Sequence, residues 1–255
     1  MANSGSHLTL TLLAVTALVI VVSLTANALL TPVVIRLARY KKWYDVPDSR
    51  KLHKGLIPRI GGLSIFVSMV LGITTGMLIL TSLGIYIVES SGALIGAAGG
   101  VILIFLVGLF DDLAPLNART KILFQLGAAT IIASSGIRVD SLSLPLIGVI
   151  PLGISAIPLT VFWIVGMVNS VNLIDGRDGL AGGISAFAAS GLGVIALLQG
   201  NLLTLIVAVA LLGTICGFLL YNWPPASIFM GDSGSHLIGF RTALTRSLNK
   251  YAQQN

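Results

Sequence analysis

The stretch NSVNLIDGRDGLAGG, residues 169–183, sets four polar side chains three residues apart, directly after an apolar run. They are Asn169, Asn172, Asp175 and Asp178. If a helix continues through them, residues three apart share a face, and the four form a polar stripe that faces an internal cavity. The alternative is a loop built from the turn-forming residues Asn, Asp and Gly.

A second acidic group, Asp111 and Asp112 in GLFDDL, ends another apolar run. Two carboxylates so close repel each other, which requires either protonation of one or a cation between them. A magnesium ion with phosphate oxygens would satisfy that requirement. The alternative is a solvated helix end, where adjacent acids are common.

A third acid, Asp232, lies in PPASIFMGDSGSHLIGF, residues 224–240, between Gly231 and Ser233 and at the head of another apolar run. A helix N-terminus at this point would attract phosphate. Asp232 could equally serve as the helix N-cap.

The basic stretch DVPDSRKLHKGLIPRIGG, residues 45–62, offers two interpretations. It is a loop that sets membrane topology, and it also offers contacts to anionic headgroups or a diphosphate. Lys121 also has two interpretations: it is either an anchor whose side chain snorkels to the membrane interface or a contact to phosphate. The basic residues and the histidine of the stretch are Arg50, Lys51, His53, Lys54 and Arg59.

The elements that must position these residues are membrane helices. The chain is 55% hydrophobic and 9% charged, with a mean hydropathy of +0.98, whereas soluble domains carry about 25% charged residues. We expect an all-α polytopic helix bundle in one domain, residues 1–240, followed by an atypical polar tail, 241–255. An eighth span begins near Ser233 without continuing. The seven complete spans are predicted at 8–35, 61–82, 92–109, 121–139, 151–169, 180–198 and 201–220.

The basic residues orient this bundle. Eight fall between the first two spans and three more in loops on the same side, whereas Arg138 is alone on the other. By the positive-inside rule the basic side is cytoplasmic and the N-terminus is outside. The pI near 9.8 therefore reflects topology and anionic lipid, and we expect no nucleic-acid partner.

The acidic groups gather on that same cytoplasmic side, close to helix ends. Three acidic clusters and a basic loop at one membrane face favour metal-assisted phosphoryl transfer, which needs charge neutralisation and a carboxylate base or nucleophile. A transporter or channel whose acids carry protons or cations is the rival interpretation. Transporters place such acids near mid-span, so their position at helix ends favours an enzyme.

Four ordered motifs resemble the polyprenyl-phosphate N-acetylhexosamine-1-phosphate transferases: DVPDSRKLHKGLIPRIGG, GLFDDL, NSVNLIDGRDGLAGG and IFMGDSGS. The resemblance implies transfer of a sugar-1-phosphate from a UDP-sugar to undecaprenyl phosphate, with release of UMP. It implies Mg²⁺ as cofactor, with Mn²⁺ as a substitute, and a multi-pass protein of the bacterial plasma membrane that could form a homodimer. PRIGG resembles the branch that uses UDP-N-acetylglucosamine and initiates cell-envelope polysaccharide or teichoic acid synthesis.

The same resemblance implies roles for individual residues. Asp111 and Asp112 match the catalytic acidic pair, and Asp175 and Asp178 match an acidic loop needed for activity. Mg²⁺ binding is implied for Asn172 and Asp232. The residues that we expect to contact substrate are His53, Arg59, Lys121 and Asn169.

The chain also departs from the family pattern. Arg177 replaces a usual leucine in the third motif, and His236 stands where leucine is common. The family continues for several more spans and has a late His-His-x-x-Arg loop, whereas this chain stops at Asn255. We therefore expect a C-terminally truncated or frameshifted enzyme with little or no activity, the alternative being an inactive fragment.

Overall fold

The computed structural model describes residues 2–45, 56–87, 90–144 and 148–248. Eight α-helices make up most of these ranges, which confirms the all-α expectation. The helices are α1 (Ala2–Lys41), α2 (Gly62–Ser82), α3 (Ser91–Leu113), α4 (Ala118–Ser134), α5 (Ala156–Ile174), α6 (Leu180–Leu198), α7 (Leu202–Asn222) and α8 (Gly231–Leu248).

Two short antiparallel hairpins, which the sequence did not predict, join helices at opposite ends of the bundle. Strands β1 (Tyr44–Asp45) and β2 (Ile57–Pro58) pair between α1 and α2. Strands β3 (Ser141–Leu144) and β4 (Gly148–Pro151) pair between α4 and α5, next to a 3₁₀ turn at Gly153–Ser155.

The seven predicted spans correspond to α1 through α7. Six of these helices are long and apolar enough to cross a membrane: α1, α2, α3, α5, α6 and α7. The fourth predicted span ends at Ser134 instead of 139, which leaves a helix of 17 residues. The protein is therefore a multi-pass membrane protein.

The eighth helix lies at the centre of the bundle. We predicted only a partial span here, yet residues 231–240 are all buried, and α8 packs against α2, α3, α5 and α6. Polar residues early in a central helix are tolerated when protein, and not lipid, surrounds them.

Helices α1, α2 and α7 are joined by buried polar side chains. Asn27 Nδ2 donates to Ser68 Oγ at 3.0 Å, and Thr31 Oγ1 donates to Asn27 Oδ1 at 2.9 Å. Ser68 Oγ in turn lies 3.4 Å from Thr214 Oγ1 on α7. Such bonds satisfy polar groups inside the bilayer and hold neighbouring helices in register.

The α1–α7 contact also depends on small residues. Gly213 and Gly217, four residues apart on α7, face the backbone of α1. A Cβ added at Gly217 would lie 2.5 Å from the carbonyl oxygen of Leu24. This is the small-xxx-small pattern by which membrane helices approach closely.

We expect Gly217→Ala to destabilise the protein, because the new methyl group meets backbone that a side-chain rotation cannot move. Overpacking of this kind costs about 1–3 kcal/mol, which lowers a melting midpoint by several degrees. The measurement is thermal unfolding in detergent. Gly166→Ala on α5, where a Cβ meets nothing within 4 Å, is the control and should be neutral or slightly stabilising. Equal midpoints for the two variants would contradict close α1–α7 packing.

Candidate active site

Three carboxylates from two helices meet at one end of the bundle. Asp111 and Asp112 lie in the last turn of α3, and Asp232 lies in the first turn of α8. Each offers an oxygen, and these oxygens lie within 4.8 Å of one another. Asp232 reaches this cluster although it follows Asp112 by 120 residues.

Two basic side chains lie against this acidic cluster. Lys121 Nζ, at the start of α4, is 2.7 Å from both Asp111 Oδ2 and Asp232 Oδ2. Arg59 Nη2 is 2.5 Å from Asp232 Oδ1, and its Nε is 3.6 Å from Asp112 Oδ1. Three carboxylates against two cations leave an excess of negative charge at a buried position, which favours binding of a further cation.

Backbone pairing brings Arg59 to the cluster. Phe229 N donates to Pro58 O at 2.8 Å, Gly61 N donates to Phe229 O at 3.0 Å, and Gly62 N donates to Met230 O at 2.8 Å. The PRIGG segment is thus hydrogen-bonded, along its main chain, to the segment that leads into α8. Arg59 therefore faces the first turn of α8 as a consequence of backbone register.

Gly231 begins α8 in a conformation that other residues rarely adopt. Its φ is +73°, and a Cβ there would lie 2.6 Å from Asp112 Oδ2. Asp112 Oδ1 accepts from Asp232 N at 2.7 Å. Its Oδ2 accepts from Ser233 N at 3.0 Å and from Ser233 Oγ at 2.5 Å. The carboxylate of α3 therefore packs directly onto the N-terminus of α8.

Of the two asparagines in the opening stretch, Asn172 reaches the cluster. Its Nδ2 donates to Ser235 Oγ at 2.9 Å and to Asp232 Oδ1 at 3.3 Å. Asn169, one helical turn earlier, instead donates to Gln125 Oε1 at 2.7 Å. The structure thus separates the predicted metal ligand Asn172 from Asn169.

The acids of that stretch lie beyond the helix. Because α5 ends at Ile174, the predicted polar stripe is helical only through Asn172. Asp175 is the C-cap residue of α5. Asp178 lies in the turn that follows α5, and its Oδ2 accepts a hydrogen bond from Ala226 N at 2.9 Å. The helix and loop interpretations each describe half of the stretch.

Asp175 is the acid of this loop whose ionisation the site changes. Burial raises the pKa of Asp175 to about 8, and the negative charges of Asp232 and Asp112 act in the same direction. The Arg59 guanidinium opposes this shift. A carboxyl with such a pKa holds its proton at neutral pH and releases it just above.

Four further residues at the site were not among the predicted ones. Ser233 is hydrogen-bonded to Asp112, and Ser235 is hydrogen-bonded to Asn172. Gln125 Nε2 lies 3.4 Å from His236 Nε2. Spacing could have identified two of them, since Gln125 and His236 each follow a predicted site residue by four positions on the same helix. His53, a predicted substrate contact, lies outside the described residues.

The donor set fits a hard divalent cation. Carboxylate and amide oxygens are the ligands that Mg²⁺ and Mn²⁺ prefer. Asn172 faces Asp232 with its amide nitrogen, and rotation of the amide by about 180° would present its oxygen to a cation instead. The ammonium group of Lys121 contacts one oxygen of Asp111 and one of Asp232, and a metal cation bound between the two acids would contact the same oxygens. The residues present therefore fit the expected magnesium ion.

Comparison with known proteins decides the family. The model of glycosyl transferase family 4 matches residues 94–247, which include Asp111, Asp112, Lys121, Asn172 and Asp232. The chain belongs to this family. The motif resemblance is thereby confirmed.

Relatives within the family match most of this chain and part of their own. A probable undecaprenyl-phosphate N-acetylglucosaminyl 1-phosphate transferase of Bacillus subtilis strain 168 is 40% identical, over 91% of this chain and 62% of its own length. A decaprenyl-phosphate N-acetylglucosaminephosphotransferase of Mycolicibacterium smegmatis is 35% identical, over 76% and 50%. An undecaprenyl-phosphate alpha-N-acetylglucosaminyl 1-phosphate transferase of Thermotoga maritima is 33% identical, over 82% and 58%. The chain thus spans between half and just under two thirds of these relatives.

We expect the contribution of Asp175 to the stability of the metal-free protein to fall as pH rises from about 4 to about 8. The pKa of Asp175 is about 8 when folded and 3.8 in its ordinary state, so across this window the folded chain binds more protons than the unfolded chain. Asp175→Asn removes this contribution, and the gap between variant and wild type should widen in favour of the variant with rising pH.

The measurement is thermal unfolding in detergent with a chelator at pH 5, 7 and 9. Gly176→Ala, next to Asp175 and with open space at its Cβ, is the non-titrating control and should keep the wild-type slope. Parallel curves for Asp175→Asn and wild type would show that burial of this carboxyl does not govern the pH dependence.

Proposed function

We propose that the chain transfers N-acetylglucosamine-1-phosphate from UDP-N-acetylglucosamine to undecaprenyl phosphate and releases UMP. The observation that carries this proposal is the acidic cluster of Asp111, Asp112 and Asp232, with Arg59 and Lys121 against it at one end of the bundle. The printed names of the Bacillus and Thermotoga relatives support the same donor sugar and lipid. The product would initiate a cell-envelope polysaccharide or teichoic acid.

In this proposal Asp111, Asp232 and the amide oxygen of Asn172 hold Mg²⁺, which Mn²⁺ could replace. The bound metal supplies charge neutralisation for the diphosphate of the donor. Arg59 and Lys121 exchange their carboxylate partners for phosphate oxygens, and Arg59 can donate two parallel bonds.

The reaction itself is a displacement at phosphorus. A lipid-phosphate oxygen attacks the phosphorus that bears the sugar, a new P–O–P bond forms, and the bond to the UMP oxygen breaks. UMP leaves with that oxygen and its electron pair. Asp175 is the proposed acceptor of the proton that a singly protonated lipid phosphate must lose. Without metal, burial keeps this carboxyl protonated at neutral pH, and the positive charge of a metal bound nearby would favour the ionised form that can accept a proton.

We propose that the site faces the cytoplasm. Among the described residues, Arg36, Arg39, Lys41 and Lys42 end α1 on the side of the site, whereas Arg138 lies at the other end of the bundle. The positive-inside rule places the basic end in the cytoplasm. The homodimer implied by family resemblance stays a prediction.

The test of activity reconstitutes the purified chain in liposomes with undecaprenyl phosphate, labelled UDP-N-acetylglucosamine and Mg²⁺. We expect lipid-linked sugar and UMP in equal amounts, a result that would overturn the low activity expected from the sequence. For Asp232→Asn we expect a loss of at least about 100-fold in rate, because an interaction made with transition-state charge is removed. Asp140→Asn, in the distant Arg138–Asp140 ion pair, is the matched control and should keep wild-type turnover. Absence of product, or equal rates for both variants, would refute the proposal for this chain.

The test of sidedness uses single cysteines in a Cys216→Ser background. Arg177→Cys lies in the exposed turn beside Asp175, and Val149→Cys lies on β4 at the opposite end, where Val149 is 67% exposed. In right-side-out vesicles a membrane-impermeant maleimide should label Val149→Cys alone. Inverted vesicles should give the reverse pattern, and labelling of Arg177→Cys from outside would contradict the proposed orientation.

A further inference from the structure

We infer that Asp112 is a positioning residue that caps the N-terminus of α8 and so fixes the direction of Asp232. Family resemblance implies a catalytic role for this acid instead. The inference rests on the proposed function only in taking Asp232 as a metal ligand. It is carried by the contacts of the Asp112 carboxylate.

The N-terminus of α8 needs partners from outside the helix. The first N–H groups of any helix have no acceptor within it, and a serine, threonine or acid at the helix start usually supplies one. Here a different helix supplies the acceptor. The Asp112 carboxylate of α3 accepts hydrogen bonds from the N–H groups of both Asp232 and Ser233. Its negative charge is also favourable at the positive end of the α8 dipole.

The Asp112 carboxylate has little capacity left for a ligand. Its side chain is 0% exposed. Oδ1 accepts from Asp232 N and faces Arg59, while Oδ2 accepts from Ser233 N and Ser233 Oγ. Since a carboxylate offers about four lone-pair sites, three hydrogen bonds and an ion pair occupy it. A metal ion at either oxygen would have to displace backbone N–H groups of α8.

The other two acids of the cluster differ in this respect. Asp232 contacts the side chains of Lys121, Arg59 and Asn172, which can rotate away. Asp111 gives one oxygen to Leu116 N but the other to Lys121. Both can therefore exchange a side-chain partner for a cation, whereas Asp112 is bonded to main chain.

Gly231 completes this arrangement. A side chain at that position would occupy the place of the Asp112 carboxylate, 2.6 Å from its Oδ2. Asp112, Gly231 and Ser233 therefore act as one unit that sets where α8 begins. Because Asp232 is held through its own N–H, the direction of its side chain toward Lys121 and Arg59 depends on Asp112.

The test is a double-mutant cycle read out on metal affinity. The purified chain in detergent is titrated with Mn²⁺ by electron paramagnetic resonance, for wild type, Asp112→Asn, Ser233→Ala and the double variant. Groups that orient a metal ligand typically change affinity about 10–100-fold, and we expect a weakening in this range for Asp112→Asn. Ser233→Ala should weaken binding less. The double variant should be close to Asp112→Asn alone, because both changes break one unit.

The control cycle pairs Asp112→Asn with Ser170→Ala, whose hydroxyl bonds Gly166 O on α5 instead. Here the effects should add. Additive effects in the Ser233 cycle, or unchanged Mn²⁺ affinity in Ser233→Ala, would overturn the inference. If Asp112→Asn does not accumulate as folded protein, Ser233→Ala alone decides in the same way.

Turnover separates a positioning role from a catalytic one. With Ser233→Ala, and with Asp112→Asn where it folds, raising Mg²⁺ should recover much of the lost rate, because the defect lies in metal affinity. A rate that stays lost in Asp112→Asn at saturating metal would assign Asp112 to catalysis. The Mn²⁺ titration needs neither lipid nor sugar, so failure of the wild-type chain to turn over would count against the proposed function alone.

Discussion

The ion pairs of Asp232 with Lys121 and Arg59 are the interaction on which the described site depends. They join the start of α8, the start of α4 and the segment before α2, and Asn172 adds the end of α5. Removing one partner would leave a buried charge uncompensated, which is far more costly than the pair itself is stabilising. The Asp232 carboxylate therefore holds the starts of α8, α4 and α2 and the end of α5 in one arrangement, and Asp112 adds the end of α3.

Hydropathy predicted the helices because a membrane span must be long and apolar, and that requirement is written locally in the sequence. At α8 it predicted a partial span, and a helix does begin there, but hydropathy did not predict that other helices enclose it. Residues 231–240 include the polar Asp232, Ser233, Ser235 and His236, yet all ten residues are buried within the protein. Hydropathy measures a segment against lipid, and a helix enclosed by other helices does not face lipid. The β3–β4 hairpin was missed because all its residues except Pro151 lay between two predicted spans and were assigned to neither.

The site shows a similar division. Alternation of spans predicted that Asp111 and Asp232 lie on the same side of the membrane, because each lies next to a span end on that side. The hydrogen-bond donors to each acid could not be predicted from the sequence. Residue type does not distinguish a carboxylate that accepts from side chains from one that accepts from the backbone of another helix. The sequence suggested that Asp232 caps the N-terminus of α8. The N–H groups at that terminus are capped, but by the carboxylate of Asp112. The glycine before Asp232 was a usable signal, because a residue without a Cβ leaves room at this helix start for the carboxylate of another helix.

The central position of α8 also has a consequence for synthesis. Asp112 leaves the ribosome 120 residues before the N–H of Asp232 that it accepts. At about 5–20 residues per second this interval is roughly 6–24 s. During this interval the carboxylates of α3 can pair with the ammonium of Lys121, but α8 has not yet been synthesised. Their place at the ends of helices, within reach of water, lets the charges stay hydrated until the last partner arrives, which a mid-span location would not allow.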